Sequence, residues 1–293
     1  MRIISIILSL LILISTLTGC AVQQKETIIV GSKDFPEQDI LGNMLSLLIE
    51  AHTDLEVIHM DNMSSHVIFS AIETGALDVY VEYTGTIYGN FLSLSDTTDA
   101  MEVYYISATI LSERYDLQLL GKLGFNNTFG LAVRQETAQQ FGLRTFSDLA
   151  RVSSNMVFCG SAETFNRNDG IANLQIMYDM TFKKEIVLHN EERYNAIISD
   201  EAQVTEVFST DGLLVEHDLV VLEDDKNFYP PYHAVIVARS ATLDKHPELI
   251  HVLALLEGKI PDEVMRNLNH RVDVGNESPR AVAESFLREN NLI

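Results

Sequence analysis

"TIIVGSKDFPEQDILGNMLSLLIEAHT", residues 27–53, changes period part-way along. Residues 27–32 alternate as a strand does, whereas Ile40, Leu41, Met44, Leu45, Leu48 and Ile49 recur at three- and four-residue steps, the period of an amphipathic helix. Between the two patterns, Asp34 reads as an N-cap, Pro36 as a first-turn residue and Glu37 as a capping-box partner. A helix starting directly behind a strand is the first half of a βαβ unit, so the neighbouring sequence must show whether the unit repeats.

It does. "LEVIHM" (55–60) reads as a strand, "SSHVIFSAIETG" (64–75) as a helix ending at Gly75, and "LDVYVEY" (77–83) as a strand. A long helix, "DAMEVYYISATILSERY" (99–115), leads to extended structure in "LQLLGKLGFNNTFGLAVR" (117–134). A second series follows: helix 135–142, the segment 145–152, strand 156–161, helix 170–179, strand 185–189, helix 190–200 and strand 204–210. Residues 219–240 read as a chain crossing back, stiffened by Pro230-Pro231, and three helices close the sequence. The expected architecture is α/β: two lobes joined by two crossings near 129–133 and 231–236, with residues 27–131 plus 234–293 in one lobe and 132–233 in the other. Parallel βαβ units put helix N-termini and loops together at the carboxyl ends of the strands, where a ligand would sit.

Residues 1–20, "MRIISIILSLLILISTLTGC", carry one positive charge, an apolar run too short to span a bilayer, and small residues before Cys20. They read as a secretory signal with a lipobox, Cys20 being the lipidated residue, and 21–26 as a short tether. Beyond Cys20 the only cysteine is Cys159, so no internal disulfide is expected in the mature chain. The formal charge of −22 disfavours nucleic acid as a partner and does not oppose a cationic solute.

Signals for enzymatic chemistry are missing: no GxGxxG or GxxxxGK[ST] loop, no HExxH and no GxSxG elbow. His52, His59 and His66 recur every seven residues, but across helix, strand and helix that interval gives no common face, so neither a metal nor a cofactor is expected. What remains is a set of aromatic and short polar residues at loop and crossing positions. Tyr83 and Thr86 lie in "EYTGT", Asn127 and Phe129 in "NNTFG", Phe208 in "VFSTDG" and Tyr232 in "PPYHA". Each aromatic taken singly is more readily a core residue than a ligand contact.

Taken together, "GSKDFPEQDILGNML", "AIETGALDVYVEYTGT", "GFNNTFGLAVR", "ETFNRNDG", "VFSTDG" and "DDKNFYPPY" resemble, in order and spacing, the substrate-binding lipoproteins of quaternary-ammonium ABC importers of the glycine betaine, carnitine and choline type. The resemblance implies a type II periplasmic-binding-protein fold, two lobes closing on a small ligand, and partnership with an ABC permease and its ATPase at the membrane. It implies an aromatic cage at Tyr83, Phe129, Phe208 and Tyr232, although similar proteins usually have tyrosine at all four. It also implies that Gln38, Thr86 and Asn127 contact the ligand's polar end. A trimethylammonium group has no N–H to donate, so its charge is best met by aromatic ring faces. Arg167 is a further candidate as a carboxylate clamp, although an interlobe or surface ion pair is the favoured reading. Glycine betaine, carnitine, choline and larger betaines such as ergothioneine all fit this reading, and a sensory lipoprotein or an enzyme on the same fold remain rivals.

Overall fold

In the computed structural model, residues 26–214 and 216–293 are described; the signal segment, Cys20 and all but the last residue of the tether lie outside them. The first βαβ unit consists of β1 (Thr27–Lys33), α1 (Pro36–His52) and β2 (Glu56–Met63). α2 (Ser65–Thr74) follows and stops at Gly75, whose φ of 81° is the left-handed conformation that ends helices with little strain in glycine. Next come β3 (Val79–Tyr83), α3 (Ala100–Tyr115) and β4 (Leu117–Asn126). The start of α3 is capped by Asp99, whose carboxylate accepts from the Met101 and Glu102 amides.

The chain then enters a second sheet at β5 (Phe129–Arg134), followed by α4 (Gln135–Phe141), α5 (Phe146–Ala150), β6 (Val157–Gly160), α6 (Ala162–Asn166) and α7 (Ile171–Tyr178). β7 (Lys184–Val187), α8 (Asn190–Ile198), β8 (Val204–Phe208) and β9 (Leu219–Val221) complete that part. β10 (His233–Arg239) returns to the first sheet, and α9 (Ser240–Lys245), α10 (Glu248–Ala254), α11 (Asp262–Asp273) and α12 (Pro279–Glu289) finish the chain.

Two five-stranded sheets result, ordered β2-β1-β3-β10-β4 and β7-β6-β8-β5-β9. The parallel strands expected from the repeating units are β2-β1-β3 and β7-β6-β8. In each sheet the strand brought in by a crossing, β10 or β5, runs antiparallel to its neighbours. Phe129–Leu131, read from sequence as part of the first lobe, belong to the second sheet, where Phe129 pairs with Phe208. The run "FGLAV" is apolar throughout, and hydrophobic pattern alone cannot say on which side of a crossing such a strand pairs.

α1 is the central packing element of the first half. Ile40, Leu41, Met44, Leu45, Leu48 and Ile49 are all fully buried, and α12 and β1 pack against this helix. Truncating any one of these leucines to alanine costs about 2–5 kcal/mol. The start of α1 differs from expectation: the N-cap is Phe35, not Asp34, and no side chain caps it. Glu37 is therefore free of the capping role read from its spacing, because its side chain is drawn elsewhere.

Candidate functional site

A cavity of about 370 Å³ lies between the two sheets. Its walls come from the carboxyl ends of all six parallel strands: Lys33–Glu37 after β1, Ser64–His66 after β2, Tyr83 and Thr86 at β3, Ser161–Glu163 after β6, His189 and Glu191 after β7, and Phe208, Thr210 and Asp211 at β8. Asn127, Phe129 and Tyr232 enter at the crossings. This is where parallel α/β units gather their loops and helix N-termini. The stretch after β3, Thr86–Phe91, winds as a short π-helix, a rare form that is over-represented at functional sites.

Three of the four expected cage residues come together. The Phe129 ring centroid is 4.7 Å from Phe208 and 5.2 Å from Tyr232. Tyr229, which the sequence reading passed over, stacks on Phe129 at 5.5 Å from a position behind the cavity wall. Tyr83 also lines the cavity, but its ring neighbour is Phe125, at 6.4 Å. The rings already face cations: the Arg167 guanidinium lies 4.8 Å from the Phe129 centroid, Arg193 lies 5.4 Å from Phe208, and Lys33 Nζ is 5.2 Å from Tyr83. Each cation is also paired with a buried carboxylate. Lys33 Nζ meets Glu82 at 2.5 Å, Arg167 Nη2 meets Asp169 at 2.6 Å and Arg193 Nη1 meets Glu206 at 3.2 Å.

The polar residues are arranged differently from expectation. Glu37 is buried, and its Oε1 accepts from the Tyr83 hydroxyl at 2.6 Å and from Asn127 Nδ2 at 2.8 Å. Its Oε2 accepts from Asn269 Nδ2 at 2.9 Å. Burial raises the Glu37 pKa, opposed by hydrogen bonds from Thr210, Tyr83, Asn269 and Asn127. Gln38 does not line the cavity: the α1 register turns its side chain behind Tyr83, where Nε2 donates to the Tyr83 oxygen at 3.0 Å. Thr86 lines the cavity with its hydroxyl oxygen accepting from Arg167 Nη2 at 3.1 Å. Asn127 lines it too, with its amide donor committed to Glu37. Neither the spacing nor the motifs around Glu37 and Asn269 signalled that they meet.

Arg167 bridges the halves of the molecule. It forms a two-pronged bond to Asp169, whose Oδ2 also accepts from the Tyr232 hydroxyl at 2.7 Å. The pairing with Asp169 keeps the guanidinium protonated despite burial. Nearby, the Ser65 amide donates to Glu163 Oε1 at 3.1 Å and Asn168 Nδ2 donates to Ser93 Oγ at 2.9 Å, so the rims of both sheets are hydrogen-bonded across the cavity mouth. The ion pairs of Arg167 are with Asp169 and Glu163 of its own half, and its bond to the other half is the one to the Thr86 hydroxyl.

Residues 26–289 match the family model of the substrate binding domain of ABC-type glycine betaine transport systems. The chain belongs to that family. It is 37% identical over 270 residues, 92% of its own length, to the ergothioneine transport permease/ergothioneine binding protein EgtU of Helicobacter pylori. It spans only about half (48%) of that relative. It is 33% identical over 279 residues to the carnitine transport binding protein OpuCC of Listeria monocytogenes, covering 94% of this chain and 91% of that one. A crystal structure of a glycine betaine/carnitine/choline ABC transporter protein aligns over 92% of this chain and 99% of the other, with 30% identity and a TM-score of 0.73. The two-lobed binding-protein fold inferred from sequence is thereby established. Members of this family are substrate-binding components of transport systems, not enzymes. No helix among the described residues is long and apolar enough to cross a membrane.

Proposed function

We propose that the protein captures a small quaternary ammonium compound between two lobes and hands it to an ABC permease and its ATPase. The observation that carries this reading is the meeting of Phe129, Phe208 and Tyr232 on one cavity wall, with ring faces already engaged by guanidinium groups. A methylated cation desolvated against such faces gains about 2 kcal/mol or more. The names of the relatives, ergothioneine, carnitine and glycine betaine binding proteins, support the ligand class. Ligand contact falls to Tyr83, Phe129, Phe208, Tyr232, Thr86 and Asn127, while Gln38 acts through Tyr83.

In this reading the lobes are the parts built on the two sheets, hinged at 127–128 and just before β10, and closure is completed by the bond from Arg167 to the Thr86 hydroxyl. A lipid on Cys20 holds the protein at the cell membrane outside the cytoplasm, at the outer face of the cytoplasmic membrane or in a periplasm, beside its permease. Ligand-induced thermal stabilisation of the chain after Cys20 tests the ligand class. A ligand at about 100 times its Kd stabilises by about 2.7 kcal/mol. A shift confined to methylated ammonium compounds is the expected result; a shift with ordinary amino acids or sugars and none with these compounds rejects the class.

A further inference from the structure

The two halves also touch at the outer rim of the cavity mouth, through side chains that do not line the cavity. On the first half, the π-helix Thr86–Phe91 and the turn after it present Gly89, Asn90 and Ser93 at helical spacing. On the second half, Asn168 and Asp169 lie in the loop between α6 and α7. Asn168 Nδ2 donates to Ser93 Oγ at 2.9 Å and to the Asn90 carbonyl at 3.3 Å, and the Asn168 amide donates to Asn90 Oδ1 at 3.4 Å. The Asn168 carbonyl accepts from Asn173 Nδ2 at 2.6 Å, which holds this loop to the start of α7. Gly89 lets the backbones approach: a Cβ there would stand 3.3 Å from the Asp169 Cβ, closer than ordinary van der Waals contact. Ser93 has a φ of 55°, a left-handed conformation uncommon for serine that persists where surrounding contacts hold it. Thr86, Glu163 and Arg167 also tie the halves together, but all three line the cavity, whereas Asn90, Ser93 and Asn168 do not.

Resting on the reading that two lobes close around a ligand, we propose that Asn168, with its acceptors on Asn90 and Ser93, is a clasp that sets how strongly the closed form is favoured without contacting the ligand. These bonds join one half to the other, so they exist only when the mouth is shut. A ligand that binds the shut form has its apparent affinity scaled by the fraction of protein able to shut. A bond that stabilises the shut form and touches no ligand atom therefore strengthens every ligand by the same factor, and cannot alter their order. Asn168 and Ser93 are exposed, so the clasp competes with water and its contribution is that of a single net hydrogen bond. Asn90 and Asn168 are in this sense positioning residues: they tune affinity for the whole ligand class and leave selection within it to the cavity.

Calorimetry and stopped-flow dissociation on the chain after Cys20 test this with wild type, Ser93→Ala, Asn168→Ala and the double variant, each against glycine betaine, carnitine and choline. The substituted side chains are exposed at the rim, so the variants are expected to fold. Asn168→Ala is expected to weaken every ligand that binds by one common factor, about threefold to tenfold, the scale of one hydrogen bond. The loss is expected in faster dissociation, with association nearly unchanged. Ser93→Ala is expected to give part of that loss alone and to add nothing in the Asn168→Ala background, because the two side chains act through one bond. Unchanged affinity in Asn168→Ala, factors that differ between ligands by more than about threefold, or full additivity in the double variant overturns the clasp while leaving the ligand class intact. Should no quaternary ammonium compound bind, the ligand class falls, and the same four proteins are compared with whichever amino acids or sugars do bind, where a common factor supports the clasp and its absence overturns it.

Discussion

The cavity is lined by two groups of side chains with opposite chemistry. Phe129, Phe208 and Tyr232 form a wall of ring faces, whereas Glu37, Asn127, Asn269 and the Tyr83 hydroxyl form a buried polar network with no cation inside it. The aromatic wall is nonspecific by nature, since any methylated cation satisfies a ring face. The polar network is directional, because each hydrogen bond fixes the orientation of the next group. Affinity for the class is expected from the first and choice within the class from the second.

The comparison can be broken most severely at the bridge behind the rings. Asp169→Ala leaves the buried Arg167 guanidinium with only the more distant Glu163 carboxylate, at 3.9 Å, and is expected to cost about 3 kcal/mol of stability, measured by chemical denaturation. A loss below about 1 kcal/mol would mean that Arg167 finds water or another acceptor, such as Glu163, in place of Asp169.

Next in size, Tyr232→Ala removes a ring face and is expected to weaken binding of every quaternary ammonium ligand more than tenfold without altering their order. Tyr232→Phe keeps the face but loses the bond to Asp169, a change of about 1 kcal/mol, best seen in stability. If the alanine variant folds and binds as before, the aromatic wall is packing only.

The polar side carries the smallest expected effect. Asp273, at the cavity edge, has its carboxyl raised to about 6 by burial and by Asp211, Glu191 and Glu37 nearby. A carboxyl whose folded pKa is raised contributes stability that is complete below its unfolded value near 4 and is lost as the pH rises through about 6. Asp273→Asn should therefore raise stability by about 1 kcal/mol at pH 8, allowing for solvent screening, and by nothing near pH 4. Equal effects at both values would show that the acidic groups around the cavity do not repel one another.

Much of the framework was legible before any coordinates. Period changes located β1, α1, α2 and β3, and Gly75 marked a helix end by its conformational freedom. The parallel units placed the site at the strand ends, where Tyr83, Thr86, Phe208 and the crossing residues are found. Illegible were contacts between distant residues: Glu37 and Asn269 meet across 232 positions, and no local pattern reports such a pairing. Glu37 was misread because its spacing from Asp34 fits a capping box, yet burial beside Tyr83 and two amides gives its carboxylate better partners than a helix end. Gln38 was misplaced by one layer, since sequence reveals which helix face is buried but not which buried side chain reaches a cavity.

The most direct measurement compares the best-binding quaternary ammonium ligand with its neutral isostere, in which a carbon replaces the methylated nitrogen, by calorimetry on the chain after Cys20. Shape and apolar area are the same in both, so the difference isolates the attraction between the cation and the ring faces. Weakening of at least about tenfold for the neutral compound is expected from a desolvated cation–π contact. Equal affinities would contradict the account, because the cavity would then be recognising a bulky apolar group and not a charge.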